Sequence, residues 1–171
     1  MKLEVSKHRL TGNLRNTEEI NTWMKKVMPE APARSLINFK GEPVHYFSWK
    51  TPEEERRLIR KEIGSLVSQG IPPHRIAILS PNVIEKSCLA GVEKIKNWTL
   101  VDYKEKQPNT ICFSTIRAFK GLEADIVFLI GLRPDTPACT GGDIYVGGSR
   151  ARYLLYIFHR EDIDPGWVGR C

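Results

Sequence analysis

The sequence predicts an α/β domain built on a mostly parallel sheet. Three observations carry this. Short runs rich in branched and aromatic residues alternate with amphipathic stretches at helical spacing, the pattern of strands joined by crossovers. Residues 76–79 and 126–132 are apolar almost throughout, as in strands covered on both faces. The chain has 171 residues, 41% hydrophobic and 27% charged, enough for one soluble domain with a real core.

The elements follow in order. Residues 18–28 read as a helix: Thr17 is placed to cap it, Pro29 to stop it, and Ile20, Trp23, Met24 and Val27 share one face. Residues 29–41 form a proline-containing connection, and 44–49 a strand. Thr51-Pro52-Glu53-Glu54 is a helix start, with a cap, a first-turn proline and acids that suit the dipole. That helix should run to about Gln69 and end at Gly70. A turn over 71–74 leads into the 76–79 strand. Residues 83–94 are expected to be helical. Strands are expected at 98–103, 110–116, 126–132 and 154–158, with a loop over 133–143, which holds two prolines and two glycines. The tail after Arg160 shows no periodicity. The domain is therefore placed at 1–160, and 161–171 is expected to be disordered or foreign to it.

Composition narrows the function. No apolar run reaches the length of a membrane span and the N-terminus lacks a signal-peptide core, so a cytoplasmic protein with no membrane partner is expected. The net charge of +6 suits a polyanionic partner, although the basic residues are scattered. Cys88, Cys112, Cys139 and Cys171 are widely spaced, with no Cys-x-x-Cys pair. They read as reduced thiols, and no metal site is expected. The four histidines form no catalytic pattern.

The chemistry concentrates in three strings. The first is Ser114-Thr115-Ile116-Arg117-Ala118-Phe119-Lys120-Gly121-Leu122-Glu123, which leaves one strand and enters the most apolar one. Ligands of open α/β sheets gather at the C-terminal ends of strands. Ser114 and Thr115 can offer donors to a phosphate, and Lys120 supplies charge. Gly121 lets backbone approach a ligand. Glu123 can accept from a ribose hydroxyl or orient an arginine. The second is Tyr145-Val146-Gly147-Gly148-Ser149-Arg150-Ala151-Arg152. Arg150 brings a planar, permanently charged fork suited to phosphoryl transfer. Its two glycines each cost a helix about 1 kcal/mol against alanine, so a helix here should start late or bend. The third is Leu10-Thr11-Gly12-Asn13-Leu14-Arg15-Asn16, just before the first helix. An ordinary solvated turn would explain Lys120-Gly121 alone, and a surface arginine would explain Arg150 alone.

In this order the strings resemble motifs of superfamily 1 helicases of the UvrD/Rep type. The likeness is sharp in the last third and runs as a layout from about residue 10 to 158. The second string resembles the family's Tyr-Val-Ala-Leu-Thr-Arg-Ala, and the third its Leu-x-x-Asn-Tyr-Arg-Ser. The resemblance implies a RecA-like three-layer domain, the second motor domain of an ATP-dependent DNA helicase. It implies Arg15 and Arg150 as arginines directed at the γ-phosphate. It implies Lys120, Gly121 and Glu123 as ATP-binding, and Ser114, Thr115 and Arg117 as contacts to single-stranded DNA. Leu14 departs from a tyrosine that stacks on adenine in relatives, and Arg117 departs from a histidine. Residues 81–109 leave no room for the accessory subdomain that relatives often insert there.

A P-loop needs Gly-x-x-x-x-Gly-Lys followed by Ser or Thr, and no such string occurs. No Asp-Glu pair closes an apolar strand either. The expectation is that ATP and Mg²⁺ are bound mainly by an N-terminal P-loop domain of a longer chain, and that this chain alone is inactive. Two alternatives stand beside it. One is a stand-alone module that binds nucleic acid or protein without ATPase activity. The other is an unrelated α/β enzyme whose loop mimics the motif.

Overall fold

The computed structural model describes residues 12, 13, 16–30, 34, 35, 40–133, 135 and 137–163. Its elements run β1 (Gly12–Asn13), α1 (Glu18–Val27), β2 (Arg34–Ser35), β3 (His45–Trp49), α2 (Pro52–Ser68), β4 (Ile76–Ser80), β5 (Lys94–Ile95), β6 (Trp98–Val101), β7 (Thr110–Thr115), β8 (Ala124–Leu132), α3 (Gly141–Gly148) and β9 (Ala151–Arg160). Strands β1 and β2 form a small parallel pair; the other seven form one sheet in the order β3-β9-β8-β4-β7-β6-β5. All neighbours in it are parallel except β5 and β6.

Apolar burial divides the domain into three layers. One face of the sheet, with Ala77, Leu79, Val127 and Leu129, packs against Ile20, Trp23, Met24 and Val27 of α1 and Ile144 of α3. The other face, with Ile76, Ile78, Phe128 and Phe158, packs against Ile59, Ile63 and Leu66 of α2. This is the expected RecA-like α/β arrangement.

The helix ends obey local signals. The Thr17 hydroxyl accepts from the Ile20 amide, and the Thr51 hydroxyl accepts from the Glu54 amide at 3.2 Å. After α2, Gly70 takes a left-handed φ of +93°, and the Ile71 amide returns to the Leu66 carbonyl at 3.1 Å.

Three expectations need correction. Residues 83–94 are not a helix; a 3-10 turn at Ile84–Lys86 and further turns lead to β5. The Ser87 hydroxyl donates to the Ile84 carbonyl and accepts from the Leu89 amide, which closes the turn locally, and Gly91 sits at φ +70°. The helix of the second string neither starts late nor waits for its glycines to pass. It opens at Gly141, where Thr140 and Asp143 form a reciprocal capping box. Gly147 and Gly148 serve close approach: a Cβ on Gly148 would lie 2.0 Å from Cζ3 of Trp23, and one on Gly147 would lie 2.7 Å from Cδ1 of Leu129. Finally, residues 161–163 pack onto the domain, while 164–171 lie outside the described residues. The Glu161 amide donates to the Trp49 carbonyl at 2.9 Å, and Ile163 is buried against the α1 face.

Candidate functional site

Strand register decides where the first string lies. Thr115 pairs with Ser80, the last residue of β4, while Ile126 pairs with Ile76, its first. Residues 116–123 therefore cross from the C-terminal end of the sheet to its N-terminal end. The string that reads as one motif is divided between two ends of the domain.

At the C-terminal end, the Ile116 amide donates to the Ser80 carbonyl at 2.9 Å. The Thr115 hydroxyl oxygen accepts from the Ala118 amide at 3.1 Å, and the Thr115 carbonyl accepts from Phe119 at 3.0 Å. Ser114 is buried, and its hydroxyl donates to the Thr115 carbonyl at 3.3 Å. Arg117 is exposed, with Nε 3.4 Å from Oδ1 of Asp143. Burial pushes the Asp143 carboxyl up, but the Thr140 hydroxyl and amide and the Arg117 guanidinium outweigh it and hold it below the usual range.

At the N-terminal end, the chain turns through Gly121 at φ +86°, with open space where a side chain would stand. Lys120 and Glu123 are exposed on either side of that turn. The Ala124 amide donates to the Arg150 carbonyl at 3.1 Å, so Glu123 and Arg150 precede paired residues at the starts of β8 and β9. Arg150 Nε donates to the Val146 carbonyl at 3.1 Å, and Nη1 lies 3.5 Å from the Leu122 carbonyl. The guanidinium thus clasps the carbonyl end of α3, where the helix dipole favours a cation, to the turn of the first string. Buried Asn16 completes the corner: its Nδ2 donates to the carbonyls of Ser149, at 3.1 Å, and of Ala151, on both sides of Arg150. Arg15 itself lies outside the described residues. Nearby, Asp125 bridges Arg75 at 3.6 Å and Arg152 at 3.4 Å.

The structure therefore groups Glu123, Arg150 and the residue after Arg15 at one end, and Thr115 and Arg117 at the other. Asn16, Asp143 and the Asp125 pair of bridges were not singled out from sequence. Thr140-x-x-Asp143 carried a readable signal, since it is a capping-box spacing. Among the described residues no group of three His, Cys, Asp or Glu side chains could hold a metal ion, and no helix is long and apolar enough to cross a membrane.

A second polar cluster lies under α2. Glu55 is 2% exposed, and its Oε1 accepts from the Gly131 amide at 2.6 Å. Burial raises its carboxyl from the ordinary 4.5 to about 7, against the lowering effects of the Gly131 amide, the Cys88 thiol and Arg133. Burial and the neighbouring Glu55 push the Cys88 thiol far up, so it is a structural thiol.

The fold defines a class: a RecA-like, three-layer α/β domain, here with an arginine clasped at the N-terminal rim of its sheet. No protein-family model matches the sequence, and no curated protein does. Among solved structures, the C-terminal domain of a possible DNA helicase from Lactobacillus plantarum WCFS1 is similar at 17% identity. That likeness has a TM-score of 0.70 and covers 92% of this chain and 93% of that one. The PRRSV helicase is similar at 12% identity and a TM-score of 0.46, over 89% of this chain and 23% of that one. An Arterivirus nonstructural protein 10 helicase matches at 13% identity and a TM-score of 0.42, over 91% of this chain and 26% of that one. The first of these shares the whole fold.

Proposed function

We propose that this chain is the second motor domain of an ATP-dependent DNA helicase of the superfamily 1, UvrD/Rep-like type. It completes a nucleotide site whose P-loop half, with Mg²⁺, is supplied by another domain. Arg150 and Arg15 reach the γ-phosphate, and Lys120, Gly121 and Glu123 line the nucleotide side. Thr115 and Arg117, with Ser114 behind them, face single-stranded DNA at the opposite end.

One observation carries the reading. Asn16, next to Arg15, bonds the carbonyls flanking Arg150, so two strings far apart in sequence meet beside Glu123. The residues suit a nucleotide. The carbonyls of Val146 and Leu122 hold the Arg150 fork in one orientation, which lowers the entropy lost on meeting a phosphate. The open left-handed turn at Gly121 lets backbone approach a ligand. When bound, ATP with its Mg²⁺ supplies the phosphoryl group; this chain binds and orients it. Closure of the two domains over the nucleotide would then couple hydrolysis to movement of the strand.

The test is turnover in the complete motor. Arg150→Ala should lower Mg²⁺-dependent ATP hydrolysis by on the order of 10³–10⁵ while circular dichroism stays that of the wild type. Unchanged turnover would remove Arg150 from the site. The chain by itself should hydrolyse no ATP above background, and turnover surviving Arg150→Ala would overturn the assignment. Salt-sensitive strand binding by a chain that no P-loop partner activates would instead favour the stand-alone binding module.

A further inference from the structure

A pocket of about 410 Å³ lies between the 3-10 turn Pro73–Arg75 and the connection from β6 to β7. His74, Tyr103, Lys104, Lys106, Gln107 and Pro108 line it. His74 Nδ1 lies 3.2 Å from the Pro108 carbonyl and ties the two walls together. Tyr103 is 37% exposed. Its ring and that of Phe119 are perpendicular, with centroids 5.7 Å apart and planes at 88°. Phe119 is buried in the string that carries Arg117 and Lys120. Pocket and string are thus joined by one packed aromatic pair.

The charges select the occupant. Lys104 and Lys106 are exposed at the rim. The Asp102 carboxylate is turned back to accept from the Lys104 amide at 3.1 Å, and Glu105 is not among the lining residues. A flat aromatic face beside two ammonium groups matches a base and its flanking phosphates. We infer that this pocket takes one base of single-stranded DNA on Tyr103, with Lys104 and Lys106 on the adjoining phosphates, on a path that leaves Arg117 at the C-terminal end past Phe119 and Tyr103 toward His74, which precedes β4 at the N-terminal end. The inference rests on the strand-binding half of the proposed function. A free nucleotide shares the chemistry, so the test separates the two.

The experiment is fluorescence anisotropy of a labelled oligothymidylate with the 171-residue chain at low salt. Tyr103→Leu should weaken binding by about fivefold to a hundredfold, the worth of one base–aromatic stack, and Tyr103→Phe should restore it. Lys106→Glu, which leaves the Phe119 contact alone, should also weaken binding and reduce its salt dependence. AMP should not displace the oligonucleotide at concentrations where unlabelled oligothymidylate does. A 5-iodouracil oligonucleotide should photocrosslink to Tyr103. Wild-type affinity in Tyr103→Leu and Lys106→Glu, alongside weakening by Arg117→Ala, would overturn the pocket and leave the strand path intact. Efficient displacement by AMP would make this a nucleotide pocket and overturn the strand assignment. No binding by the wild-type chain would sink this inference and the strand half of the proposed function together, while leaving the Arg150 turnover test standing.

Discussion

Glu55→Gln should flatten part of the pH dependence of stability. Glu55 is buried, and its folded-state pKa is raised from 4.5 to about 7. Below pH 4.5 the carboxyl is protonated in both states, and its contribution is fully present. Between 4.5 and about 7 the unfolded chain releases the proton while the folded chain keeps it, so stability falls as pH rises; above that the loss is complete. At about 1.36 kcal/mol per pH unit, the loss is about 3 kcal/mol. Glutamine keeps an oxygen for the Gly131 amide and cannot ionise. Urea unfolding of both proteins at intervals from about pH 4.5 to 8 isolates the effect, because every other carboxylate is common to the pair. The wild type should lose about 3 kcal/mol relative to Glu55→Gln across that range. A difference between them that does not change with pH would refute the buried, protonated carboxyl.

Gly148→Ala should destabilise the domain by about 1–3 kcal/mol in a thermal melt, although alanine is the better helix former, because its Cβ would meet Trp23. Trp23→Leu in the same background should recover part of the loss. Asn16→Leu should cost about 1–3 kcal/mol in urea unfolding, since the Ser149 and Ala151 carbonyls lose their partner. Cys88 should resist iodoacetamide in the folded protein and react only on unfolding, as mass spectrometry would register; fast labelling at neutral pH would contradict its burial.

Local signals were legible. Thr17 and Thr51 cap the helices they precede, and the two-sided apolar runs became central strands. The expected helix over 83–94 is broken by a side-chain bond of Ser87 and by the left-handed Gly91. The start of α3 hid behind Gly141 and Gly142, while Gly147 and Gly148 at its other end fit through a close approach to Leu129 and Trp23 that is tertiary. Glu55 was not singled out from the sequence, and its register with Ile59 and Ile63 is what turns it inward. At the candidate site, the residue types were readable and the division of the first string was not. That division follows from pairing with β4, a strand well upstream whose register no local pattern reports. The clasp on Arg150 is equally non-local, since it needs Leu122 and the end of α3 in one place.

Residues 116–123 join two parallel strands across β4 without a helix, whereas such connections usually take a dozen residues or more. They are fastened at one extremity by the amide of Ile116 and at the other by that of Ala124. The span makes its own turns, from Thr115 to Phe119 and from Phe119 to Leu122, so its reach is set by a few backbone bonds. An extra residue spliced into it should change the separation of the Arg150 corner and Arg117 without touching either.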